Sequence, residues 1–183
     1  MENSLNNLMQ SLGCEPREID LPSVAPDDLR VGHLLGDANS VDADAIRGAV
    51  VLLGFPSDEG VRRNLGRPGA AEGPDAIRHW LYRMTPDPRQ DGQMRALLAR
   101  TYDVGNMRCS GDLSADQARL GEAVAAILSA DAFPIVLGGG HEVGFAHFLA
   151  HAITYKPVTL FNLDAHLDVR PLREGLGHSG SPF

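Results

Sequence analysis

Phe133–His141 reads F-P-I-V-L-G-G-G-H. A short apolar run, Phe133–Leu137, ends in three glycines and a histidine. Such a run, bounded by a turn signal, reads as a strand buried in a sheet. The glycines let the backbone turn sharply and come close to a neighbour or a ligand. Glu142–Ala152 behind them reads as a helix, so His141 is expected at a strand end with a helix following.

Working outward, the same alternation recurs. Ala49–Gly54 (A-V-V-L-L-G) is another continuous apolar run, typical of a strand covered on both faces. Pro56–Gly73 is a glycine- and arginine-rich loop. Pro74–Met84 reads as a helix, with proline in its first turn and Ile77, Trp80, Leu81 and Met84 at helical spacing. Residues 85–92 read as a loop and Arg100–Val104 as a weaker strand. Ser114-x-x-Gln117 resembles a capping box that opens a helix to about Ser129. Val158–Leu163 reads as a further strand. Strands alternating with helices predict an α/β fold with a parallel sheet flanked by helices. Residues 1–48 are polar and weakly patterned, and are expected to form an N-terminal arm ahead of a domain over 49–183.

The chain has 183 residues, enough for one domain with a sizeable core. Its net charge of −8 argues against general affinity for nucleic acid or anionic membranes. No apolar run approaches the length of a membrane span, and the N-terminus does not read as a signal peptide. Two cysteines, Cys14 and Cys109, make a poor disulfide framework and fit a reducing, cytoplasmic setting.

In α/β sheets, sites form at the carboxyl ends of the strands. Here those ends read G-F-P-S-D-E-G, D-V-G-N, G-G-G-H-E and D-A-H-L-D. Asp164, His166 and Asp168 alternate, so on a strand they would share one face. A straight strand would spread them over roughly 13 Å, at about 3.3 Å per residue. A single metal centre requires the segment to curl. Carboxylates with imidazoles suit Mn²⁺, Fe²⁺ or Zn²⁺ better than Ca²⁺ or Mg²⁺. The plainer reading is a polar loop, and for His141 a histidine at a helix start. A different rival is dinucleotide binding, with Gly138-x-Gly140-x-x-x-Gly144 and Asp164 as the ribose acid. That glycine spacing is one residue too long, and it leaves His141, His166 and Asp168 unexplained. Arg62, Arg63 and Arg67 lie on the glycine-rich loop, where guanidinium groups can clamp carboxylates or stay solvated.

Together G-F-P-S-D-E-G-V-R-R-N-x-G-R-x-G, G-G-G-H, D-A-H-L-D and the terminal S-G-S-P-F resemble the ureohydrolase family of arginases, agmatinases and formimidoylglutamases. The resemblance runs from about Ala49 to Phe183. It implies an arginase-like three-layer α/β/α fold and a pair of Mn²⁺ ions. By motif, His141 and Asp168 would bind one ion, His166 the other, and Asp164 would bridge them and orient the attacking hydroxide. The first and last motifs look most like those of formimidoylglutamases, which hydrolyse N-formimino-L-glutamate to L-glutamate and formamide in histidine degradation. Arginases and agmatinases carry H-G-x-P where this chain has Ser179-Gly180-Ser181-Pro182. His178 and Ser179 are therefore candidates beside the leaving group. Arg170 would meet a substrate carboxylate, with Arg62, Arg63 and Arg67 in support. The resemblance implies a small-molecule substrate and a homo-oligomer.

The family also supplies ligands from a later S-x-D-x-D segment, which does not occur before Phe183. The expectation is therefore an N-terminal part of the domain, with an incomplete C-terminal side and little hydrolase activity alone. An inactive fragment or assembly module is the alternative.

Overall fold

The computed structural model describes residues 3–18, 20–155 and 157–181. Pro182 and Phe183, which close the S-G-S-P-F motif, lie outside the described residues. The centre is a four-stranded sheet of β1 (Cys14–Glu15), β2 (Val50–Phe55), β3 (Thr101–Met107) and β4 (Phe133–Gly138), in the order β1-β3-β2-β4. β2 lies parallel to both β3 and β4. The sheet is mixed rather than purely parallel, because β1 pairs antiparallel with β3 through Cys14 and Met107.

Side-chain alternation along β2 feeds two cores. Val51, Leu53 and Phe55 enter the larger one, under α1 (Leu5–Ser11), α5 (Leu113–Ser129) and α6 (Val143–Thr154). Val50 and Leu52 face the smaller one, formed with Val31, Tyr82, Leu81, Met94 and Leu98. Tyr82, Leu81, Met94 and Leu98 come from the region of α3 (Gly73–Leu81) and α4 (Asp91–Leu98). The segment read as an arm lies on the larger core, with Leu5, Met9, Cys14 and Ile46 buried there.

Four local expectations change. The 85–92 loop runs into α4, which opens at Asp91 and is braced by an Asp91–Arg95 ion pair. The loop after β2 carries a short helix, α2 (Glu59–Arg63). α5 is capped by Asp112, not by a Ser114 box: its carboxylate accepts the N–H groups of Ser114 and Ala115, so the helix starts earlier. Most of the apolar stripe of α3 turns away from the core, Leu81 alone of the four packing on the smaller one. Ile77 and Trp80 are exposed, as is Met84 just beyond the helix, and Arg78 is the side chain that points inward. Its guanidinium is only 2% exposed and donates to Asp103, Asn106 and the Gly105 carbonyl. A fully bonded buried arginine satisfies the helix's inner face without an apolar contact.

The larger correction concerns Val158–Leu163. It is not a strand: it is irregular, and Leu163 is fully exposed at 100%. An apolar run becomes a buried strand only where neighbours take up its backbone groups. Among the described residues no strand does so.

Candidate metal centre

β4 ends in the glycine turn. Gly139 and Gly140 donate their N–H groups to the carbonyls of Phe55 and Ser57, lacing this turn to the end of β2. A Cβ on Gly139 would lie 2.0 Å from the Ser57 carbonyl oxygen, so no larger residue fits. The turn delivers His141 and Glu142 to the start of α6.

Glu142 is fully buried and accepts the Gly60 N–H through Oε1 at 2.9 Å. Gln117 donates to its carbonyl. Burial pushes the Glu142 carboxyl above the usual range, and Oε2 has no hydrogen-bond partner among the described residues. Gly60 thereby joins α2 to the glycine turn. The sequence displayed an acid after G-G-G-H, but its burial depends on a glycine 82 residues earlier in the chain.

The D-x-H-x-D segment does curl. The His166 N–H returns to Asp164 Oδ1 at 2.9 Å, and Asp168 adopts a left-handed φ of 53°. His141 Nδ1 lies 2.7 Å from Asp168 Oδ2 and 3.4 Å from Asp164 Oδ2. Ligand atoms of His141, Asp164 and Asp168 all fall within 4.8 Å of one another. His166 stands on the other side of Asp164, its Nδ1 3.4 Å from Oδ1, and is largely exposed. The two oxygens of Asp164 therefore face two imidazoles. The His166 N–H, and then the neighbouring His141, hold the Asp164 carboxyl below the usual range.

The arginines separate. Arg62 pairs with Asp58 at 2.9 Å, and Arg63 with Glu59 at 3.0 Å. Arg67 is exposed. Arg170 reaches Asn64 Oδ1 at 3.4 Å, and its N–H bonds the Gly180 carbonyl. Ser179 docks on the same loop: its N–H meets the Gly60 carbonyl, and its hydroxyl accepts from Asn64. His178 is buried, with Nδ1 accepting the Gly180 N–H at 3.1 Å and Nε2 facing the Pro171 carbonyl at 3.2 Å. Both ring nitrogens are thus engaged by backbone. Residues 177–181 rest on α2 through Gly60, Arg63 and Asn64. Gly60 and Asn64 were visible in the sequence as loop residues, with nothing to mark them as the docking point.

The donor set, one imidazole and two carboxylates with a second imidazole beyond the central acid, fits a divalent transition-metal cation such as Mn²⁺.

A profile described as the arginase family matches residues 48–183. The chain is 46% identical over 142 residues to a formimidoylglutamase of Rhodococcus jostii, covering 74% of this chain and 41% of that protein. It is 42% identical over 137 residues to a formimidoylglutamase of Chromobacterium violaceum, covering 73% and 41%. A Trypanosoma cruzi formiminoglutamase solved with Mn²⁺ superposes at a TM-score of 0.72 and 34% identity, over 86% of this chain and 52% of that one. A formimidoylglutamase from Bacillus subtilis gives 0.75 at 25% identity, over 92% and 51%. The chain spans about two-fifths of the length of these curated relatives and about half of these solved chains.

Proposed function

The chain belongs to the arginase family, and on that premise we propose that its site takes part in the hydrolysis of N-formimino-L-glutamate to L-glutamate and formamide, a step of histidine degradation. The observation that carries this reading is the convergence of His141, Asp164 and Asp168 at the end of β4, in a chain whose relatives are formimidoylglutamases.

His141 and Asp168 would hold one Mn²⁺, His166 a second, and Asp164 would lie between them. Such ions supply activated water near neutral pH and offset the charge that develops on attack at an amidine carbon. The chain's own part is to fix the donors. The glycine turn fixes His141, and the backbone turn at Asp164 aims its two oxygens to opposite sides. Arg170, exposed beside Asn64, would take a carboxylate of the substrate. Arg67 would support it, whereas Arg62 and Arg63 are already matched by Asp58 and Glu59. The buried ring of His178 would position Ser179 rather than shuttle protons, and Ser179 would face the leaving group.

No helix among the described residues is long and apolar enough to cross a membrane. Burial pushes the thiols of Cys14 and Cys109 up to about 12, which makes them poor nucleophiles, and two cysteines that form no disulfide fit a reducing cytoplasm. A homo-oligomer fits the proposed enzyme.

The test is a chimaera with residues 48–183 replacing the matched segment of the Rhodococcus jostii relative. It should hydrolyse N-formimino-L-glutamate and leave L-arginine and agmatine untouched. A folded chimaera that cleaves the guanidino compounds, or none of the three, refutes the reading.

A further inference from the structure

Glu142 is an acidic side chain in a place where an apolar one would fit. It is fully buried against α2, one residue after the proposed ligand His141. Two glycines make room for it. A Cβ on Gly140 would lie 1.9 Å from Oε2, and one on Gly60 would lie 2.8 Å from the same atom. Oε2 has no hydrogen-bond partner among the described residues, and an unpartnered buried oxygen is a cost to the fold. The worth of this side chain therefore lies in its other oxygen.

Oε1 caps α2 from a distance. The first turn of a helix leaves N–H groups without intrahelical acceptors, and a side chain just before the helix ordinarily takes one up. Asp58 precedes α2 but makes no such bond; its carboxylate accepts the Gly69 N–H and pairs with Arg62 instead. The Gly60 N–H goes to Glu142 Oε1 at 2.9 Å. The main chain of Glu142 is pinned as well, its carbonyl accepting from Gln117 of α5 at 2.8 Å. The Gly60 carbonyl in turn accepts the Ser179 N–H at 3.0 Å. Asn64, at the end of α2, donates to the Ser179 hydroxyl and accepts from Arg170. α2 is thus the platform on which Ser179 and Arg170 rest, and Glu142 joins that platform to the turn carrying His141.

We propose that Glu142 is a positioning residue of the site: its carboxylate oxygen holds α2 against the metal-bearing turn, so that metal bound at His141 steadies the platform under Ser179 and Arg170. This role rests on the reading of His141 as a metal ligand and deepens it, with Glu142 acting through its neighbours and not on the substrate. The link is short, because His141 and Glu142 are consecutive and one hydrogen bond reaches α2 from there. A rival path runs from Asp168 through Arg170 to Gly180 and Asn64. Its Arg170–Asn64 contact is 3.4 Å long and exposed, whereas the Glu142–Gly60 bond is 2.9 Å long and buried. A buried hydrogen bond is the stronger of the two, so it is the stiffer path.

The test uses the full 183-residue chain and Mn²⁺ alone, so turnover of N-formimino-L-glutamate is decided separately. Calorimetry reads Mn²⁺ affinity, and mass spectrometry reads amide exchange. In the unaltered chain, saturating Mn²⁺ should slow exchange over residues 58–64 and 177–181. Glu142→Gln keeps the acceptor oxygen and should respond in the same way. Glu142→Leu, of similar size but without the acceptor, should bind Mn²⁺ roughly 10-fold more weakly. At saturation it should no longer slow exchange over 58–64. If the leucine variant does not fold, Glu142→Asp, one carbon shorter, takes its place with the same expected loss. Slowing over 58–64 that survives in the leucine or aspartate variant would assign the coupling to the Arg170 path and overturn the proposal. So would a glutamine variant that behaves like either of them, or Mn²⁺ binding to the unaltered chain without slowed exchange. Failure of the unaltered chain to bind Mn²⁺ would overturn it together with the metal assignment.

Discussion

Residues 49–155 and residues 157–181 are held in place by different means. In the first region, β2 is bonded on both sides and buried on both faces, and α5 and α6 pack over it. The second carries three of the four proposed ligands, yet forms no strand of the sheet. It is placed by point contacts: His141 to Asp168, Arg170 to Asn64, and Ser179 to Gly60 and Asn64. A ladder distributes its stability over many groups, whereas point contacts concentrate position in a few. The ligand-bearing segment should therefore be separable from the fold.

The sharpest break would come from the cores. Phe55→Ala, at a fully buried strand position, should cost about 3–5 kcal/mol in urea unfolding. Leu163→Ser, in an equally apolar stretch but fully exposed, should stay within about 0.5 kcal/mol. Equal losses would show that the two regions are packed alike. Arg78→Met removes the charge between Asp103 and Asn106 and should cost about 3 kcal/mol, because a buried acid loses its partner. A neutral result by thermal melting would mean that the buried network is dispensable.

Asp168→Ala should leave the melting temperature of the apo protein nearly unchanged. It should weaken Mn²⁺ binding in calorimetry by more than the roughly 10–100-fold that outer partners of a metal site cost. A large loss of apo stability would make Asp168 a structural residue and erase the contrast. The smallest expected effect concerns pH. Burial raises the Glu142 carboxyl, so the folded state binds its proton more tightly than the unfolded chain does. Its contribution therefore favours folding at low pH and declines as pH rises from the ordinary carboxylate range through the raised folded value. Glu142→Gln should flatten that decline in denaturant melts across pH. An unchanged slope would show that Glu142 does not carry it.

Reading the sequence located the centre better than it located its supports. β2, β4, α5 and α6 follow from apolar runs and helical spacing, and the G-G-G-H and D-x-H-x-D ends locate the ligands. The inward turn of Arg78 does not follow, because periodicity registers apolar side chains and is blind to a charge satisfied by Asp103. Nor does the role of Gly60, which serves Glu142 with its N–H and Ser179 with its carbonyl.

The sequence by itself determined the α/β alternation, the strand ends where chemistry gathers, and the donor types, since these depend on local pattern and residue chemistry. Only the tertiary structure decided which donors converge and which apolar run becomes a strand. Asp164 faces two histidines because the chain folds back on itself at His166, and His141 arrives from β4. Val158–Leu163 stays outside the sheet despite its strand-like composition, because a strand is completed by its neighbours' hydrogen bonds and no single segment contains those.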